Sequence, residues 1–484
     1  MNDLFKNLLN KTQCKRNGIC SSNPVLNAVD AVIINEIRQI SYYIVKLKEF
    51  NLTNFEVMKE TVYALSVNIT DIGFNKNALY SFYANLKNIK EKVKNFYIKK
   101  CKESNVSFEL ITPFLNDEEG EIDSTKLIKR GENIIHHFYN TIKDEKVRLI
   151  NLIILTCRMT SLLLVKLSEF KEAESDYYFE ILRLLSLTNH TGTREEKFIR
   201  RIKEFSNKAY EIQKELDYEF QKTFGGKTTG KTDTNIYEGK SVLIAGGDLD
   251  ELFNLLNAAK KEKINVYINP SMLLSIFYPK FREFPNFKGI YGINEVEFDF
   301  SKFKGPIYIT ENSSRGLDSA FRGTIFSTKL IPADKTIKLD KKDLTPLIEE
   351  AKKLEGFKKD VKGEEIVFEY NLDKIQKTIE ENEGKKFVIT LGLSEKEAEE
   401  KFKGFVIINF SYPFETEGLY FALEKIKPEN LSIYFSDCSL QTVNTIVSIL
   451  DKNISEIYLA KCPVSSINPH ITDCLKYDFH VKSV

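Results

Sequence analysis

The pattern of apolar and polar residues divides the chain into two parts. Through most of residues 1–224 the apolar residues recur every three or four positions, most clearly in 25–50, 77–100 and 147–167. This spacing predicts long amphipathic helices, and short polar links such as 116–120 favour an antiparallel arrangement. The sequence therefore predicts that residues 1–224 form an antiparallel helical bundle.

After residue 236 the pattern changes to short runs rich in Val, Ile and Tyr that alternate with amphipathic segments. The runs 241–247 and 264–269 flank the amphipathic segment 248–261, and the same alternation returns from residue 386 onward. Such alternation is typical of βαβ units with mainly parallel sheets. We therefore expect a fold of the α + α/β class, in which the bundle precedes two Rossmann-like α/β domains. The predicted division is a helical bundle domain at 1–224, a linker at 225–236, an α/β domain at 237–350 and a second α/β domain at 351–484.

The composition argues against several classes of partner. The 70 Lys and Arg residues against 69 Asp and Glu residues give a net charge of +1, which offers no overall attraction to nucleic acid or an anionic membrane. The most apolar stretch, 149–167, contains Arg158 and Lys166, and charges within it indicate a buried bundle helix rather than a membrane span. The seven scattered cysteines are odd in number, which favours reduced thiols and a cytoplasmic location.

One stretch is specific enough to indicate ancestry. Residues 240–292 read KSVLIAGGDLDELFNLLNAAKKEKINVYINPSMLLSIFYPKFREFPNFKGIYG, and they resemble the start of the second domain of the hybrid-cluster proteins. This prismane or hydroxylamine-reductase family is distantly related to carbon monoxide dehydrogenases. Weaker similarity continues through 303–314, 323–331 and 430–463. The resemblance implies a bundle followed by two α/β domains and, in the family, an iron–sulfur–oxygen cluster.

The resemblance also indicates where the family has its cluster ligands. The family strings "SGHDL" and "YTHSEMLP" supply a histidine and a glutamate, and here Gly247 and Ser271 stand at those positions. The resemblance predicts changes at the other ligand positions too. Three of the family's cysteines align on or near Ser313, Gly392 and Phe410, and the segment that carries a fourth is deleted around 415–419. A glutamate and a lysine of the family align with Ser439 and Gln441. Because iron–sulfur sites require thiolates, we expect no hybrid cluster and no cofactor at these positions.

The family has a further cluster near its N-terminus, held by two pairs of cysteines. Cys14 and Cys20 match the second pair, whereas the first pair falls on Asn2 and Phe5. One interpretation is a residual iron–sulfur cluster in which Cys14 and Cys20 are metal ligands and a second subunit supplies the other pair. The other interpretation, which we favour, is two reduced thiols without a metal.

Three further patterns resemble binding motifs, but their surroundings or their spacing argue against a binding site. Residues 225–232, GGKTTGKT, match the P-loop pattern, but a helix precedes them and a strand follows, so we interpret them as a polar linker. Gly246 and Gly247 follow a strand as phosphate loops do, yet we expect Asp248 to cap the next helix. Four C-terminal residues lack the spacing of a structural zinc site: Cys462, His470, Cys474 and His480.

These observations lead to three hypotheses about function. The first is a catalytically inactive pseudoenzyme, similar to hybrid-cluster proteins, that acts as a protein-binding or assembly module. Its partner would be another protein or a second copy of itself (a homodimer), with no nucleic acid and no membrane involved. The second is an iron–sulfur redox protein, a hydroxylamine-reductase-like oxidoreductase with a residual N-terminal cluster. The third is a small-ligand or nucleotide binder that uses the vacated cavity between the α/β domains.

Overall fold

The structure is a computed structural model that describes most of the chain. The described residues are 24–70, 76–111, 124–141, 144–190, 192–291, 300–310, 323–328, 336–391, 393, 395–410, 416–435, 445, 448, 449, 454, 456–459 and 481–483. Within them the elements follow the predicted order, with helices first and then two regions in which strands and helices alternate.

The N-terminal part of the described chain is helical. Its helices are α1 (Pro24–Lys48), α2 (Phe55–Thr70), α3 (Lys76–Glu103), α4 (Ser124–Thr141), α5 (Asp144–Ser168), α6 (Ser175–Ser186) and α7 (Glu195–Phe224). Apolar side chains from all of these helices pack into one buried core, as their three- and four-residue spacing predicts. Among the described residues, Leu149–Ser168 of α5 is the one stretch long and apolar enough to cross a membrane, and 67% of it is buried inside the protein. The position of α5 in the bundle core accounts for this apolar sequence.

A buried ion-pair cluster joins three helices of the bundle. Glu36 of α1 is fully buried, with Lys90 Nζ of α3 at 2.9 Å from one carboxylate oxygen and Arg130 Nη2 of α4 at 3.2 Å from the other. Arg130 also donates a hydrogen bond of 2.8 Å to the hydroxyl of Tyr83. Because both cations share one carboxylate, the charge of Glu36 is what makes their burial tolerable.

The first α/β region contains a sheet of six parallel strands with the order β4-β3-β2-β5-β6-β7. The strands are β2 (Ser241–Ala245), β3 (Asn265–Ile268), β4 (Phe287–Ile290), β5 (Ile307–Ile309), β6 (Ile325–Ser327) and β7 (Ile337–Lys338). The helices of this region are α8 (Leu249–Lys261), α9 (Pro279–Arg282) and α10 (Thr345–Lys353). The strand order reverses between β2 and β5, and in such sheets the carboxyl ends of the strands at the reversal form the usual ligand-binding crevice.

The second α/β region contains a sheet of five parallel strands with the order β10-β9-β11-β12-β13. Its strands are β9 (Phe387–Leu391), β10 (Val406–Phe410), β11 (Leu431–Phe435), β12 (Glu456–Leu459) and β13 (Val481–Ser483). Its helices are α11 (Leu372–Glu381), α12 (Glu395–Lys401) and α13 (Thr416–Lys425). The predicted α + α/β fold class with mainly parallel sheets is confirmed, whereas the domain limits remain predictions.

Candidate functional site at the strand ends

The chain turns sharply over the end of the six-stranded sheet immediately after β2. Gly246 has a φ of +139°, a backbone region that residues with a side chain rarely adopt. The ammonium group of Lys166, from α5 of the bundle, donates to the carbonyl oxygen of Gly247 at 3.5 Å. Gly247 therefore offers only a backbone oxygen at this position, and a lysine of the bundle contacts it.

Ser271 lies next to this turn, at the start of the 3-10 helix Pro270–Phe277 that follows β3. Its hydroxyl accepts a hydrogen bond of 2.9 Å from the backbone N–H of Gly246 and donates one of 3.0 Å to the side-chain oxygen of Asn269. The Asn269 oxygen also accepts from the backbone N–H of Ser271 at 3.1 Å. The serine hydroxyl thus joins the ends of β2 and β3 directly.

A lysine from the other end of this region lies beside the same turn. Lys341 forms an ion pair with Glu169, which follows α5, and its Nζ lies 3.7 Å from Asp248 and 3.4 Å from Glu251. Burial alone would lower the pKa of Lys341, but the carboxylates of Asp248, Glu169 and Glu251 outweigh it and raise that pKa above its ordinary value of 10.5. The charged lysine therefore links the bundle to the first α/β region. Asp248 also accepts from the backbone N–H of Glu251 at 3.2 Å, so the predicted cap of α8 is confirmed.

Phe410 ends β10, at the carboxyl edge of the five-stranded sheet. It pairs in register with Leu391 of β9, and the two side chains are 2% and 0% exposed. Phe410 belongs to the main hydrophobic core. Its hydrocarbon ring has no atom that coordinates iron, and its side chain packs in the core.

Two residues at the predicted deletion, Thr416 and Glu417, contribute to a contact between the bundle and the second α/β region. Thr416 and Glu417 begin α13, whose side chains contact those of α7. Paired contacts run along the two helices: Tyr210 with Tyr420, Lys214 with Glu424, Asp217 with Thr416, and Gln221 with Glu417. Tyr370 also donates to Glu417. Polar contacts within the protein therefore involve the segment at which the resemblance predicts the deletion of a cysteine.

The carboxyl group of Asp217 is buried at this helix contact. Burial raises its pKa above the ordinary value of 3.8, although Lys227, at 4.0 Å, and the hydrogen bond from Thr416 favour the ionised form. A raised pKa means that the folded state holds a proton that the unfolded state releases. The stability that this proton contributes is present at low pH and is lost as the pH rises from about 3.8 through the raised pKa.

We therefore expect the Asp217→Asn variant to lose this contribution to the pH dependence. Urea unfolding measured over a pH series should show a free energy of unfolding that falls less steeply with rising pH in the variant than in the parent. Asp373→Asn, at an exposed position of α11, serves as the control and should keep the parent's slope. Equal slopes in the parent and Asp217→Asn would contradict this account of the buried carboxyl group.

The P-loop-like residues 225–232 do not have P-loop geometry. Helix α7 ends at Phe224, and Gly230–Asp233 forms strand β1, which pairs antiparallel with β8 (Glu365–Phe368). Lys231 is 65% exposed and lies 3.5 Å from Glu365. A Cβ atom at Gly230 would lie 2.3 Å from the carbonyl oxygen of Ile276, so close packing explains this glycine. The segment links the bundle to the sheets, but the linker interpretation missed that part of it is a strand.

Several predicted site residues lie outside the described part of the chain. They are Cys14, Cys20, Asn2, Phe5, Ser313, Gly392, Ser439, Gln441, Cys462, His470, Cys474 and His480. The two metal ligands predicted with the residual cluster, Cys14 and Cys20, therefore remain predictions. Among the described residues, no group of three or more His, Cys, Asp or Glu side chains is placed to hold a metal ion.

The contacts of Lys166, Lys341 and Asp217 were not predicted from the sequence. Each of these residues meets a partner more than 80 positions away, as with Lys166 and Gly247 at a separation of 81. Local spacing carries no signal for such pairs. The one available hint was the charge of Lys166 inside the apolar stretch 149–167, which the sequence argument used only against a membrane span.

Comparison with known proteins places this arrangement in a family. The Prismane/CO dehydrogenase family matches residues 9–445. The hydroxylamine reductase of Thermosipho melanesiensis is 24% identical over 408 residues, covering 80% of this chain and 73% of the relative. That of Acidiphilium cryptum is 21% identical and covers 70% of this chain and 61% of the relative. That of Syntrophobacter fumaroxidans is 33% identical, over 27% of this chain and 24% of the relative.

Because the family match spans most of its length, the chain belongs to the Prismane/CO dehydrogenase family. The ancestry predicted from residues 240–292 is confirmed. The chain is also similar to curated hydroxylamine reductases at low identity, and it spans 61% and 54% of the relatives from Acidiphilium cryptum and Gloeothece citriformis. At the positions where the resemblance places the family's ligands, the residues present do not fit a hybrid cluster: Gly247 has no side chain, Ser271 offers a hydroxyl already bonded to the backbone, and Phe410 offers hydrocarbon.

Proposed function

We propose that this chain is a catalytically inactive member of its family that acts as a cytoplasmic protein-binding or assembly module. The observation that carries the proposal is the state of the described ligand positions. Ser271 bonds to neighbouring backbone and side-chain groups, Phe410 packs in the core, and Thr416 contacts Asp217 of the bundle. A second shell of hydrogen bonds tunes metal ligands but does not replace them. The retained fold and the changed ligands together favour a role that depends on shape.

The relatives supply the competing function, because those compared are named hydroxylamine reductases. A residual cluster at Cys14 and Cys20 would support redox chemistry of this kind. The third hypothesis, a small ligand between the α/β domains, requires an open cavity, whereas Ser271 and Phe410 occupy their positions with internal contacts. We therefore rank the redox function second and the small-ligand function third.

An activity assay paired with partner identification tests the proposal. Anaerobically purified protein should show no hydroxylamine reduction with a chemical reductant, with the Thermosipho melanesiensis relative as the positive control. The tagged chain, isolated from its native source, should carry a second protein or a second copy of itself in a fixed ratio. Hydroxylamine turnover that disappears in a Cys14→Ser variant would instead support the redox function.

A further inference from the structure

Helices α6 and α7 border an open cleft on the surface of the bundle. Its volume is about 470 Å³, and Leu184, Leu187 and Phe205 form its apolar floor. The Lys208 ammonium lies 5.6 Å from the centre of the Tyr177 ring, which fixes the direction of the helices: the start of α6 lies beside the middle of α7. The end of α6 and the start of α7 meet at the other end, where a short connection joins them.

The side chains around the cleft carry balanced charges. The lining includes four acidic and four basic residues: Glu174, Asp176, Glu180 and Glu204, and Arg183, Lys197, Arg201 and Lys208. The central charges are paired within each helix, since Arg183 contacts Glu180 on α6 and Arg201 contacts Glu204 on α7 at 2.7 Å. These internal pairs leave the middle of the cleft close to neutral.

The charged lining residues that form no ion pair among the described residues lie at the two ends of the cleft. Lys197 lies near the connection between the helices, whereas Glu174 and Asp176 lie at the opposite end. Among the described residues, none of these three side chains forms an ion pair. Lys208, also at the acidic end, is paired with Glu211 at 2.8 Å. The cleft is therefore basic at one end, acidic at the other and apolar along its floor.

Such a surface is complementary to itself. A two-fold rotation about an axis through the middle of the cleft brings the basic end of each copy onto the acidic end of the other. The same favourable contact therefore forms at both ends of the interface. Charged groups at the rim of an interface mainly select the partner and its orientation, while apolar groups between them supply the contact area. A uniformly charged partner would be attracted at one end of the cleft and repelled at the other.

We propose that the α6–α7 cleft is the surface through which two copies of this chain associate, with their α6–α7 pairs antiparallel and Lys197 of each copy facing Glu174 and Asp176 of the other. This inference rests on the proposed function in that it names the protein partner as a second copy. Its failure would leave a different protein partner as the alternative, and it would not restore the enzymatic function.

Charge reversal at each end tests this pairing. The full-length chain, studied by sedimentation at low ionic strength, should dimerise, whereas Lys197→Glu and the double variant Glu174→Lys/Asp176→Lys should each remain monomeric at the same concentration. We expect the dimer Kd to rise about 10-fold or more in each variant, because the two-fold axis repeats every like-charge contact. An equimolar mixture of the two variants should form a heterodimer, since one then carries acidic ends and the other basic ends.

The control is the double variant Lys396→Glu/Lys403→Glu, which reverses two exposed charges of the second α/β region and should dimerise like the parent. The proposal would be overturned if the parent remained monomeric at all concentrations. It would also be overturned if Lys197→Glu or Glu174→Lys/Asp176→Lys dimerised like the parent, or if their equimolar mixture stayed monomeric. Circular dichroism shows whether each reversal variant folds. If one does not, the dimer Kd of the parent is measured at increasing salt concentration instead. We expect the Kd to rise with added salt, and a Kd that does not change with salt would overturn the pairing.

Discussion

The Phe410→Ala variant is expected to unfold with a free energy about 3–5 kcal/mol lower than that of the parent. Phe410 is 2% exposed and belongs to the main hydrophobic core, next to the fully buried Leu391. Removing its ring loses the free energy gained by burying a large apolar surface. It also leaves a cavity at the end of β10 that the close-packed neighbours fill only in part. Chemical denaturation followed by circular dichroism measures this loss.

The matched control is Phe96→Ala, because Phe96 lies on α3 with 43% of its surface exposed. Its loss should cost less than about 1 kcal/mol, as is usual for exposed positions. A small effect at Phe410 would show that this position is loosely packed. In that case the position at which the resemblance places a cysteine would be open to a ligand, and the third hypothesis would regain support.

The second large effect is expected at Glu36. The Glu36→Ala variant should lose about 3–5 kcal/mol of unfolding free energy, because removing one member of a buried ion-pair cluster leaves uncompensated charge. Lys90 is 1% exposed at its side chain and Arg130 is 10% exposed, so water cannot readily replace the carboxylate. The same denaturation experiment measures the change.

Glu91 provides the control for Glu36, because it contacts the same lysine from the surface. Its carboxylate lies 3.6 Å from Lys90 Nζ, and its side chain is 39% exposed. Glu91→Ala should therefore cost less than about 1 kcal/mol. Equal losses in the two variants would contradict the view that burial, rather than the presence of an ion pair, gives Glu36 its importance.

The sequence predicted the architecture well because the architecture follows from local periodicity. The three- and four-residue spacing of α1, α3 and α5, and the alternation from β2 onward, depend only on neighbouring residues. The cap at Asp248 was predictable for the same reason, since it acts within a single turn of α8. Strand β1 was missed because its pairing with β8 joins segments more than 130 residues apart.

The chemistry at the strand ends was predictable only in part. The resemblance predicts that ligand positions have changed at Gly247, Ser271 and Phe410, but it does not indicate which contacts these residues make. The hydrogen bond from Gly246 to Ser271 and the contact of Lys166 with Gly247 arise from the packing of separate elements. Such contacts depend on how the bundle meets the sheet, which no local pattern records.

The changed ligand positions are the central claim, and the iron and acid-labile sulfide content of anaerobically purified full-length protein tests it most directly. The residues at the described positions lack thiolates, so we expect neither iron nor sulfide in stoichiometric amount. The hydroxylamine reductase of Thermosipho melanesiensis, purified and assayed in parallel, serves as the comparison. Stoichiometric iron and sulfide in this chain, persisting in the Cys14→Ser variant, would contradict the account.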